Sequence, residues 1–148
     1  MPSPSFDRKT LLLIIVAALG YFVDIYDLVL FNVVKRESLE ALGLSGDALK
    51  RYDVSLFNWQ MGGMLIGGLL WGILGDKRGR VQVLFGSIVV YSMANIANAF
   101  VTDTSTYALC RIIAGIGLAG ELGAGITLVV ESMERTQRGW GTMIIVTF

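Results

Sequence analysis

The chain of 148 residues carries 12 Lys and Arg against 12 Asp and Glu, no His and one Cys; 54% of its residues are hydrophobic and only 16% charged. A soluble domain usually holds about 25% charged residues, so this composition points to a membrane. Zero formal net charge leaves no nucleic-acid footprint, Cys110 alone excludes an intramolecular disulfide, and no nucleotide-binding loop, metal-ligand cluster or His-containing triad supports an enzyme or a cofactor.

The first apolar run covers residues 10–34 and is longer than the roughly 20 residues a membrane helix needs. Its only formal charges are Asp24 and Asp27, in the stretch YFVDIYDLVLFN. Arg8 and Lys9 precede it and Ala17-Ala18 offers small residues, but the run is too long for a cleaved signal peptide and three more runs follow. Those occupy residues 54–75, 81–100 and 107–130. A fifth begins at Trp140 and stops at Phe148, which gives about 13.5 Å of helix against a hydrocarbon core of about 30 Å. The expectation is an all-α membrane protein: a short segment 1–9, four transmembrane helices, and the truncated start of a fifth over 140–148.

With the N-terminus cytoplasmic, the inside segments hold seven basic residues (Arg8, Lys9, Lys77, Arg78, Arg80, Arg135, Arg138) and the outside segments four (Lys35, Arg36, Lys50, Arg51). The bias favours that orientation. Span two carries Gly-x-x-x-Gly spacing at Gly63/Gly67 and Gly68/Gly72, and span four carries Gly115, Gly117, Gly120, Gly123 and Gly125. Such positions let helix backbones approach closely, and tight packing is the expected role of most of them.

Charged residues inside a span cost roughly 2.5–3.5 kcal/mol each at the helix centre, so they are expected to face a cavity or a partner. Asp24 and Asp27 are three apart and share one face of helix one. Span four supplies Glu121 and also Arg111, the only basic residue inside the four complete runs. Counting rise along the helices puts Asp27 about 10 Å and Arg111 about 6 Å below the outer ends of their spans. The natural pairing is therefore Arg111 with Asp27, with Asp24 as the alternative partner. Asp24 and Glu121 are then less compensated, and with no His in the chain the carboxylates are the candidates for proton coupling. The competing reading is a static salt bridge between helices one and four. Among the neutral polar residues, Asn58, Gln60, Asn95 and Asn98 are expected to hydrogen-bond between helices, and Tyr26, Tyr91 and Trp71 to face lipid more readily than a pathway.

The interval GILGDKRGRVQVL resembles the loop signature of the major facilitator superfamily, at Gly72, Asp76, Lys77, Gly79 and Arg80; Val81 stands where that family usually adds a base. RIIAGIGLAGELGAG is similar to its fourth-helix motif, with Arg111, Gly115 and Gly117 in place, and ESMERTQRG to the following loop, at Glu131, Arg138 and Gly139, without the usual proline. The Asp-x-x-Asp of helix one resembles the proton symporters for aromatic acids, sialate and related metabolites, with Ile25 in place of their Gly; sugar porters are the alternative.

The resemblance implies the N-terminal part of a twelve-helix, proton-coupled symporter of bacterial inner-membrane type. It would carry a small organic metabolite, a carboxylate by preference, by alternating access. Asp27 and Arg111 would be the coupling pair, with Asp24 and Glu121 near the proton path. Asp76 would latch the cytoplasmic side, and Arg80 would join Glu131 and Arg138 in a charge cluster. The missing C-terminal helices would be the partner for both, so the fragment alone is expected not to transport. A reading of another class is a membrane scaffold whose charged face a partner chain covers.

Overall fold

The structure is a computed structural model, and its description covers residues 8–131, 139, 142 and 143. Within these residues the chain forms four helices: α1 (Arg8–Ala41), α2 (Gly46–Arg78), α3 (Arg80–Asn98) and α4 (Thr104–Glu131). Three of the first four apolar runs fall inside one helix each, the third, 81–100, runs two residues past the end of α3, and the run from Trp140 lies almost wholly outside the described residues. α3 and α4 are each long and apolar enough to cross a membrane. α1 and α2 are longer still but carry Asp24 and Asp27, and Asn58 and Gln60, within their apolar stretches.

The segment between the first two runs is helical rather than looped. α1 continues seven residues past Val34, α2 starts eight before Val54, and only Leu42–Ser45 connects them. The reason is a buried cluster that straddles the ends of the apolar runs. Phe31 and Leu39 of α1, Leu49 and Leu56 of α2, and Tyr107 of α4 are all buried together there. Gly43 in this connection and Gly46 at the start of α2 take positive φ, a region that costs a side chain strain. Lys35 is buried beside the cluster, 3.3 Å from Asp53 and over the Phe57 ring.

At the other end of the bundle a single residue, Gly79 at φ 91°, separates α2 from α3. α4 opens with a side-chain cap. Asp103 accepts hydrogen bonds from the Thr106 backbone N–H (2.8 Å) and hydroxyl (2.7 Å), satisfying a donor that the first helical turn would leave free.

α4 is the centre of the bundle, and glycine puts it there. Gly63 and Gly67 of α2 lie directly on the backbones of Ile112 and Ile116, and Gly115 lies on the backbone of Gln60, so α2 and α4 run parallel in contact. On the neighbouring face Gly117 meets the backbone of Tyr91, and Gly120 meets Ser87 and Trp71. α3 therefore runs antiparallel to α4. The Trp71 indole N–H crosses to the Ile116 carbonyl at 2.7 Å and fixes the register of α2 on α4. α1 is held more loosely: it packs on α2 and α4, and its backbone does not reach α3 at all.

Candidate functional site

The gap between α1 and α3 is a cleft of about 330 Å³ that reaches from Asp27 to Ser38 along α1. That is within the usual size of a small-molecule pocket. Asp27 lines one side; Tyr91, Asn95 and Asn98 of α3 line another; Gln60, Tyr107 and Arg111 complete it.

Arg111 is 6% exposed, and no carboxylate among the described residues lies within ion-pair distance of it. Its guanidinium sits 4.2 Å from the Phe31 ring centre and 5.6 Å from that of Tyr107. The two rings meet edge to face at 6.5 Å, so the cation is held by aromatic faces, which attract desolvated cations by about 2 kcal/mol or more. One guanidinium N–H donates to Asn95 Oδ1 at 3.4 Å, and Nε has no protein partner.

Asp27 is half-buried and accepts a hydrogen bond from the Tyr91 hydroxyl at 2.9 Å. The direct pairing of Arg111 with Asp27, or with Asp24, expected from helix depth is thus not what the structure shows. Tyr91 and Asn95 of α3 stand as partners to the acid and the base instead. Asp24 is 4% exposed with no hydrogen bond or ion pair among the described residues, and it lies in the electrostatic field of Glu121 and Asp27. Glu121 is likewise close enough to feel Asp27. Three carboxylates therefore gather where α1 meets α4. They do not form a metal-holding group, since among the described residues no three such side chains are close enough.

Tyr91 is the site residue that sequence reasoning placed on the lipid side. A signal was available: Tyr91, Asn95 and Asn98 recur at i, i+4 and i+7, the spacing of one helix face. Trp71, by contrast, is committed to α4, while Tyr26 and Asn58 are exposed. Gln60 and Asn98 line the cleft, each with a buried oxygen that no protein donor meets. An unsatisfied buried group costs about 1–3 kcal/mol, so the cleft wall holds polar capacity its own neighbours do not use.

The loop signature lies at the opposite end. Arg80 pairs with Asp76 at 3.0 Å and reaches Glu131 of α4 at 3.5 Å, while Lys77 is exposed. Both acids are more than half exposed, and pairs of that kind contribute only about 0–1 kcal/mol. Gly72 faces open space, whereas Gly75 is buried and makes room for the Arg80 guanidinium. Arg138 lies outside the described residues.

The sequence profile of the Major Facilitator Superfamily matches residues 12–148, and the chain belongs to that superfamily. Membership makes it an integral membrane protein of a transport family rather than an enzyme. It is 33% identical over 122 residues to a Haemophilus influenzae protein named for metabolite transport, covering 82% of this chain and 29% of that protein. To a Bacillus subtilis protein named for niacin/nicotinamide transport it is 29% identical over 133 residues, 90% of this chain and 32% of the relative. Rat synaptic vesicle glycoprotein 2A matches at 34% over 77 residues, 52% of this chain and 10% of that protein. The chain spans under a third of the length of the first two relatives.

Proposed function

We propose that the chain is the N-terminal part of a proton-coupled transporter that moves a small organic metabolite by alternating access. In this reading all four helices cross the bilayer, with the N-terminus cytoplasmic, in a bacterial inner membrane. The observation that carries it is the cleft between α1 and α3, where Asp27 and Arg111 face the same space without neutralising each other. A charged group that is neither paired nor solvated is poor structural material in a membrane, and such residues mark substrate or ion pathways.

Asp27 is the proton carrier in this proposal. Asp24 and Glu121 lie next to it, so a proton bound by one acid relieves repulsion on the others. Arg111 supplies the positive charge that a carboxylate substrate would meet, and the relative named for niacin/nicotinamide transport supports a substrate of about that size. Asp76 would latch the cytoplasmic side against the helices that complete the transporter, and Arg80, Glu131 and Arg138 would form a charge cluster beside it.

The test is Asp27→Asn in the full-length transporter, reconstituted in liposomes with labelled nicotinate as the first probe. Uphill uptake driven by a proton gradient is abolished while exchange across equal pH persists. Accumulation against a gradient by this variant would refute the assignment.

A further inference from the structure

Arg111 is a buried cation whose neighbours are neutral. Its guanidinium lies over the Phe31 ring at 4.2 Å and near the Tyr107 ring at 5.6 Å, and Nη2 donates to Asn95 Oδ1 at 3.4 Å. Aromatic rings attract the charge but supply no oxygen to its N–H donors, and Nε has no protein acceptor. The rings are themselves fixed, since Phe31 and Tyr107 belong to the buried cluster that joins α1, α2 and α4. The cation is therefore held in place without being neutralised. The other charged residue lining its cleft, Asp27, is engaged by the Tyr91 hydroxyl.

Asn95 stands beside Arg111 because the backbones place it there. Gly117 of α4 meets the Tyr91 backbone of α3. Arg111 precedes Gly117 by six residues and Asn95 follows Tyr91 by four, so on antiparallel helices both lie on one side of that contact, about 9 and 6 Å along. Arginine has donors only, so the amide turns its oxygen to the guanidinium, and the end it keeps for a ligand is its NH2 group. The cleft wall then presents two kinds of donor side by side, one cationic and one neutral. A carboxylate, planar with two acceptor oxygens, matches that pair. A carboxamide has one oxygen and one NH2 group, and would set a donor against a donor.

We propose that Arg111 and Asn95 together form the anion receptor of the cleft, and that Asn95 is the specificity residue that makes the site choose a carboxylate over the amide of the same shape. The ligand class is a small organic acid, of a size that a cleft of about 330 Å³ admits. Arg111 supplies the attraction and Asn95 the exclusion, since a site rejects an isostere that leaves its polar groups unmatched. The receptor rests on the reading of this cleft as the substrate site, but not on Asp27 carrying a proton.

The test is equilibrium binding of labelled nicotinate and labelled nicotinamide, one ring as acid and as amide, to the purified full-length transporter with no proton gradient. The native protein binds nicotinate more tightly by about tenfold or more. Asn95→Asp keeps the side-chain volume but gives Arg111 a counter-charge and removes the NH2 group, so the order of the two ligands reverses. Asn95→Ala adds no acid and serves should the aspartate variant fold poorly: nicotinate binding weakens several-fold while nicotinamide binding holds. A native protein that takes both equally, prefers the amide or binds neither would overturn the receptor, and so would an unchanged preference in the variants. Uptake by Asp27→Asn decides the coupling role separately. A failed receptor leaves the loss of uphill uptake standing, and a failed coupling role leaves the nicotinate preference standing.

Discussion

Of the two Gly-x-x-x-Gly pairs in α2, only Gly63/Gly67 has a helix lying on it among the described residues, and Gly67→Ala tests that difference. A β-carbon at Gly67 would stand 2.5 Å from the Ile116 carbonyl oxygen and 2.7 Å from its Cα, with no flexible side chain to give way. At Gly68 the same atom meets nothing within 4 Å. Relieving the clash means moving α4 off α2 by about an ångström, and a gap of that size forfeits roughly a quarter to a half of each atomic contact along the seam. Between membrane helices this packing is the main attraction, because lipid offers no hydrophobic drive. Overpacking of this kind costs about 1–3 kcal/mol, whereas replacing an open helical glycine by alanine gains up to about 1 kcal/mol. Gly67→Ala and Gly68→Ala should therefore shift stability in opposite directions. Thermal unfolding of the purified chain reads this as about 2–4 °C for each kcal/mol in a domain of this size. Equal melting of the two variants would refute the assignment of the α2–α4 seam.

Asp103 gives a pH signature outside the bilayer. Two hydrogen bonds from Thr106 hold its carboxyl below the ordinary range, so its folded value lies below the unfolded one. The stability it adds is complete above the unfolded value, near pH 3.9, and is lost as pH falls through the folded value. Amide protection in the first turn of α4 should fall across that acid window and become flat with pH in Asp103→Asn; an unchanged pH dependence would refute the cap. Lys35 and Asp53 give a test of order. Asp53→Asn leaves a buried cation with only the Phe57 ring, a loss on the order of 1–3 kcal/mol, whereas Lys35→Met removes the charge and keeps the packed stem. Thermal unfolding should rank Asp53→Asn as the more damaging, and the reverse order would show that the pair adds nothing.

Hydropathy located four helices because an apolar run long enough to span a bilayer has few other structural solutions. It misplaced the ends of α1 and α2 for a physical reason. The pattern reports where lipid would stop, not where hydrogen bonding stops, and Leu39 and Leu49 continue a helical core among charged neighbours. Asp24, Asp27, Arg111 and Glu121 were legible because charge inside an apolar run is expensive and must be explained. Tyr91 and Asn95 were not, since a neutral polar side chain on such a helix fits lipid-facing, packing and functional roles equally well until its neighbour is known.

Pairing failed for a different reason: rise along a helix gives height, but the partner of a side chain depends on rotation about the axis. For α4 that rotation is set by glycine. Gly115 on Gln60, Gly117 on Tyr91, and Ile112 and Ile116 under Gly63 and Gly67 allow one facing of α4 between α2 and α3. Arg111 stands one turn before Gly115, so the same contacts aim its guanidinium at Phe31, Tyr107 and Asn95, without an ion pair to Asp27. Close packing and site chemistry are thus not alternative readings of these glycines. A side chain at Gly117 would push the Tyr91 backbone outward, and with it the hydroxyl that holds Asp27. The small residues of α4 contribute no chemistry, yet they decide which polar groups can meet across the cleft.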